Sequence, residues 1–124
     1  MSRRDRTIVV VDDNELIRIS LRAILRQAGH VVVGEAKCGD SALEMIERHV
    51  PDLVCLDVNM PGRNGLDVLG EVRKRWPKVR VMMVTSQADR DSIQTMLARG
   101  ADDIILKPFN GARVVETIAR AFKR

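Results

Sequence analysis

Apolar residues reach this chain in five short, near-continuous runs: Thr7–Val11, Val31–Glu35, Leu53–Leu56, Val79–Val84 and Ile104–Leu106. Most are rich in valine or isoleucine, which suits β-strands. The lack of alternation suits strands covered on both faces. Between the runs the period changes. Ile17, Leu21, Ile24, Leu25 and Ala28 recur at the spacing of one helical face, and Gly29 supplies a C-terminal stop. Ser41 and Glu44 read as a capping box opening a second helix, with Pro51 beyond its end. Leu66, Leu69 and Val72 mark a third helix, ended before Pro77. Ile93, Met96 and Leu97 mark a fourth, stopped at Gly100, and Val115, Ile118 and Phe122 a fifth.

The order is strand then helix, five times over. Such alternation implies right-handed crossovers and a parallel sheet. The expectation is therefore an α/β fold, a three-layer α/β/α sandwich around a five-stranded parallel sheet. No linker, repeat or low-complexity stretch interrupts it, so residues 1–124 read as a single domain.

Composition narrows the function classes. Hydrophobic residues are 45% of the chain and charged residues 31%, which supports a core and excludes a disordered class. No apolar run approaches the ~18 residues of a membrane span. The start, "MSRRDRTIVVVDD", is too briefly apolar for a signal peptide, so a cytoplasmic location and no membrane insertion are expected. Cys38 and Cys55 lack metal-ligand spacing, and Cys55 reads as a small core residue. His30 and His49 have no partner ligands nearby in sequence. The net charge of +4 is concentrated in part at Arg3, Arg4, Arg6, Arg120, Lys123 and Arg124, which read as solvated termini. Aromatics are 2% with no tyrosine, so base stacking is nearly excluded and no direct nucleic-acid binding is expected.

The chemistry lies just past the strands. Asp12 and Asp13 follow the first, Asp57 the third, Thr85 and Ser86 the fourth, and Lys107 the fifth. In a parallel sheet these carboxyl ends share one edge, where open α/β sheets bind ligands. Three carboxylates together push protons on or demand a cation. An oxygen-only set suits Mg²⁺, and the absence of His and Cys argues against zinc. Lysine and threonine become useful if a phosphoryl group joins the site, with Asp57 as the nucleophile that forms an acyl phosphate. Taken singly, each residue has a plainer reading: Asp12 or Asp13 as a helix cap, Asp57 and Thr85 as turn formers, Lys107 as a solvated charge. Their combination at successive strand exits favours a site.

These residues resemble the receiver domain of bacterial two-component response regulators. The resemblance covers nearly the whole chain, through "IVVVDDN", "LVCLDVNMPGRNGLDVL", "VMMVTS" and "GADDIILKPF". It implies a flavodoxin-like sheet of order 2-1-3-4-5. It implies that Asp57 accepts a phosphoryl group from a histidine kinase or histidine phosphotransfer protein. It also implies Mg²⁺ held by Asp12, Asp13, Asp57 and the carbonyl of Asn59. Thr85 matches the switch hydroxyl, Lys107 the phosphate-pairing lysine, and Lys107-Pro108 a cis peptide. The implied downstream element is a protein target or an output domain. One departure stands out: the family often carries Tyr or Phe as a rotamer switch where this chain has Ile104.

Three rival readings remain at this stage. An Asp-nucleophile phosphatase would want a DxD after the first strand, where this chain has "DDNE". A flavin module of the same strand order would want a Ser/Thr/Gly-rich loop there, plus aromatics beyond Trp76, Phe109 and Phe122. A non-phosphorylated interaction module would bind no Mg²⁺.

Overall fold

A computed structural model of the chain describes residues 6–123. Arg3, Arg4 and Arg124, three of the terminal cations, lie outside the described residues. Ten elements alternate: β1 (Thr7–Val11), α1 (Glu15–Gln27), β2 (Val31–Ala36), α2 (Gly39–His49), β3 (Leu53–Asp57), α3 (Gly65–Arg75), β4 (Arg80–Thr85), α4 (Arg90–Ala98), β5 (Asp103–Leu106) and α5 (Gly111–Lys123). The strands form one sheet in the order β2-β1-β3-β4-β5, with every neighbouring pair parallel.

The period of two along each strand divides the interior into two cores. Val9, Val11, Val54, Leu56, Val81 and Met83 face one side and meet Ala42 and Ile46 of α2, Val68, Leu69 and Val72 of α3, and Met96 of α4. Ile8, Val10, Leu53, Cys55, Met82, Val84 and Ile105 face the other and meet Leu21 and Leu25 of α1 and Val114, Ile118 and Ala121 of α5. Cys55 is fully buried, and burial pushes its thiol up to about 12, so it serves as packing. Among the described residues no helix is long and apolar enough to cross a membrane.

Two local expectations need correction, and one plainer alternative falls away. α2 starts at Gly39 with Cys38 as its N-cap, which makes no side-chain cap bond. Ser41 therefore lies inside the first turn, where its hydroxyl donates to the Cys38 carbonyl at 3.1 Å, and no Ser41–Glu44 capping box forms. In α5, Ile118 is buried and Phe122 packs against the core as expected, but Val114 takes the inward place expected of Val115, which is 37% exposed. The apolar pair Val114-Val115 fits either register, and the small residues Thr117 and Ala121 let the helix sit closer on the Val114 side. Neither Asp12 nor Asp13 caps α1; Asn14 does, accepting from the Ile17 N–H at 3.1 Å.

Candidate functional site

The exits of β1, β3, β4 and β5 converge, as parallel strands in this order require. Asp12 continues β1, its N–H donating to the Ala36 carbonyl of β2 at 3.0 Å. It is fully buried, whereas Asp13 beside it is exposed. Because Asn14 takes the capping role, both acids keep their carboxylates at the sheet edge. Asp12 Oδ1 accepts from the Asn14 N–H at 2.9 Å. Asp57 is the last residue of β3 and only 4% exposed. One carboxylate oxygen from each of Asp12, Asp13 and Asp57 lies within 4.8 Å of the others.

Lys107 reaches into this cluster from the end of β5. Its Nζ stands 2.9 Å from Asp12 Oδ2 and 3.3 Å from Asp57 Oδ1. The contact to Asp12 is an ion pair by distance, but its angle leaves the buried Oδ2 without a hydrogen bond. The Lys107 N–H donates to the Thr85 carbonyl at 2.8 Å, which ties β5 to β4 at the rim. The Lys107–Pro108 peptide is cis.

Electrostatics follow from this crowding. Burial first, and then the charge of Asp12, raise the Asp57 carboxyl to about 6 against the opposing pull of Lys107 and the Asn59 N–H. Burial alone would pull the Lys107 ammonium down. Close ion pairing with Asp12 and Asp57 outweighs it, so the net shift is upward. One cation thus serves several acids, two of them buried. An all-oxygen donor set, with one buried oxygen lacking a hydrogen bond, fits a hard divalent ion such as Mg²⁺.

Thr85 is fully buried at the end of β4, and its Oγ1 accepts from the Gln87 N–H at 3.0 Å. Asn59 is exposed on the β3–α3 loop. Ile104 is half-buried on β5, opposite Met83, and does not join the acidic cluster. It lines a separate cavity of about 400 Å³ with Ile93, Leu97, Leu106, Pro108 and Phe109.

Gly65 also shapes this rim, although it carries no functional group. A Cβ there would stand 2.1 Å from the Asp57 carbonyl, and the Gly65 N–H donates to the Val58 carbonyl at 2.7 Å. α3 can therefore start directly beside the Asp57 backbone only with glycine. The signal was present as "RNG", with Asn64 capping α3 by accepting from the Asp67 N–H.

Comparison with known proteins now settles the family. The family model described as "Response regulator receiver domain" matches residues 8–119. The chain belongs to the response regulator receiver family. Chemotaxis protein CheY of Thermotoga maritima is 34% identical over 116 residues, covering 94% of this chain and 97% of that protein. Transcriptional regulatory protein PdtaR of Mycobacterium tuberculosis is 38% identical over 120 residues, covering 96% of this chain and 58% of that longer protein. Among solved structures, the CheX–CheY–BeF3–Mg²⁺ complex from Borrelia burgdorferi superposes with a TM-score of 0.92 at 25% identity, covering 94% of this chain and 89% of that one. The BeF3-activated DrrB receiver domain superposes with a TM-score of 0.87 at 27% identity, over 98% of this chain and all of that one. The protein is thus a signalling receiver domain with a flavodoxin-like fold and an Asp12/Asp13/Asp57 pocket. Its relatives include response regulators, among them a receiver domain solved in a BeF3-activated form.

Proposed function

We propose that Asp57 is the phosphoryl acceptor of a Mg²⁺-dependent switch spanning this chain as one receiver domain, and that a histidine kinase or histidine phosphotransfer protein supplies the group. The observation that carries the reading is a buried carboxylate 3.3 Å from an ammonium, with two further carboxylates within 4.8 Å. A Thr hydroxyl ends the strand next to it. Asp12, Asp13, Asp57 and the Asn59 carbonyl would hold the ion. When bound, Mg²⁺ supplies positive charge that offsets the entering phosphoryl group.

The residues' own chemistry is direct. An ionised Asp57 oxygen forms a bond to phosphorus as the phosphorus–nitrogen bond of phosphohistidine breaks and the imidazole leaves with the electron pair. A carboxyl held at about 6 is ionised above that pH, so the nucleophile is available near neutrality. Lys107 already lies on Asp57 Oδ1 and is placed to pair with the new phosphoryl oxygens. Thr85 accepts through Oγ1 and retains its own proton to donate to a phosphoryl oxygen.

Those two contacts define the switch. Phosphorylation adds about −1.5 to −2 charge and new acceptors. Moving a two-state equilibrium from 1:99 to 99:1 takes about 5.5 kcal/mol of differential interaction. Two charge-assisted hydrogen bonds of about 1.5–3 kcal/mol each reach that scale. The β4–α4–β5 surface, with loop 86–90, is the part that moves and meets the downstream target. Ile104 replaces an aromatic readout there with a branched aliphatic one. Asn59 and Gln87 flank the site without being strong bases, so self-dephosphorylation is slow.

The test is intact-mass measurement after incubation with a small acyl-phosphate donor and Mg²⁺. Wild type gains one phosphoryl group, and Asp57→Asn gains none. A phosphatase-like enzyme would instead lose its adduct on Asp12→Asn alone. No adduct on wild type would leave the non-phosphorylated interaction module.

A further inference from the structure

The Asp12 carbonyl stands where β1 runs out. The Asp12 N–H still belongs to the sheet, but the carbonyl is held by a side chain. Arg18, at the close of the first turn of α1, donates from Nη1 to the Asp12 oxygen at 2.7 Å. Its side chain is 17% exposed, so the bond is largely shielded from water. Glu35 of β2 grips the same guanidinium, with Oε1 3.4 Å from Arg18 Nε. Glu35 pairs with Val10, two residues before Asp12 in β1. Arg22, one turn further along α1, takes the second Glu35 oxygen but makes no hydrogen bond to Asp12.

We propose that Arg18 is a positioning residue for the divalent-cation site, itself oriented by Glu35. The inference rests on the Mg²⁺ reading given above. The Asp12 main chain is fixed on both sides, by Ala36 through its N–H and by Arg18 through its carbonyl. Its carboxylate is therefore aimed before the ion arrives, as partners beyond the ligands do at metal sites. Charge alone would act in the opposite direction. A guanidinium beside the acidic cluster repels a cation, so removing it would tighten Mg²⁺ binding if positioning played no part.

That opposition of sign makes the test decisive. Mg²⁺ is titrated calorimetrically into wild type, Arg18→Met, Arg18→Lys, Glu35→Gln and Arg22→Met, each checked for folding by urea denaturation. Arg18→Met is expected to weaken Mg²⁺ binding about tenfold. Arg18→Lys keeps the charge but cannot bridge both partners, and falls between Arg18→Met and wild type. Glu35→Gln weakens binding less than Arg18→Met does. Arg22→Met removes a Glu35 ion pair without touching Asp12, and should stay within about twofold of wild type. Binding by Arg18→Met as tight as wild type or tighter overturns the proposal, as does equal weakening by Arg22→Met. If Arg18→Met does not fold, Arg18→Lys against Arg22→Met decides by the same criterion. Wild type that takes up no Mg²⁺ overturns the metal reading beneath it; Mg²⁺ uptake unaffected by Arg18→Met overturns the positioning role alone.

Discussion

β3 has an aspartate at each end, and the fold treats the two in opposite ways. Asp52, just before the strand, accepts from the Thr7 N–H at 2.7 Å and from the Thr7 hydroxyl at 3.2 Å. Its own N–H donates to the Thr7 carbonyl at 2.9 Å. Asp102, just before β5, likewise accepts from the Val81 N–H at 2.7 Å. At this edge an acid is satisfied by the first N–H groups of a neighbouring strand and serves as a clasp. Asp57, at the opposite edge, meets an ammonium and two other carboxylates. The difference follows from sheet polarity: strand entries offer free N–H donors, whereas strand exits offer carbonyls. An acid at an exit must therefore find its company elsewhere, and here that company is suited to an outside ligand.

Removing each acid in turn separates the two edges most strongly. Asp57→Asn is expected to abolish the phosphoryl adduct, whereas Asp52→Ala should retain it and lose about 1–3 kcal/mol of stability. Intact mass and urea denaturation check the two halves. Acidity separates the edges next. The Asp57 carboxyl is raised to about 6 in the fold from 3.8. Between those values the native state binds more protons than the unfolded chain, so metal-free stability falls as pH rises. The drop is on the order of 2–3 kcal/mol. Urea denaturation in chelator from pH 3.5 to 7 should show it, and Asp57→Asn should flatten it.

Smaller effects are expected at the neighbours of Asp57. Thr85→Ala should still accept phosphoryl but lose about 1.5–3 kcal/mol of the drive toward the second state. Amide spectra of β4, α4 and β5 with and without a phosphoryl mimic would read this as a reduced shift. Gly65→Ala pushes a methyl onto the Asp57 carbonyl and should cost about 1–3 kcal/mol together with slower phosphorylation. Least of all is His30, lowered by burial and then by Arg6. Its fold prefers the neutral ring, so stability falls as pH drops below 6.5, opposite in sign to Asp57. His30→Gln should remove that small slope.

How much of this was legible depended on the range of the physics. Apolar runs and helical spacing placed all ten elements, because two-sided burial is a local demand on composition. The convergence of Asp12, Asp57, Thr85 and Lys107 was legible too, since parallel strands bring their exits to one edge. Strand order was not: periodicity is blind to which strands are neighbours, and the order came from family resemblance. The Ser41–Glu44 box failed because the pattern fits equally well inside a first turn. Val115 was chosen over Val114 because two adjacent valines leave the face undetermined. Arg18 was invisible among 21 basic residues, since its value lies in a bond to another segment's backbone.

β3 is the central strand of the sheet. With strands on both sides and α3 seated against its end, the backbone bearing Asp57 has no free flank. β5, which bears Lys107, is a four-residue border strand paired on one side only. Amide exchange should accordingly be slowest along β3 and fast along β5. On the phosphorylation reading proposed above, the accepting carboxylate would sit on the central strand and its ammonium partner just past a short border strand, so a change of charge at the first would be met by displacement of the second.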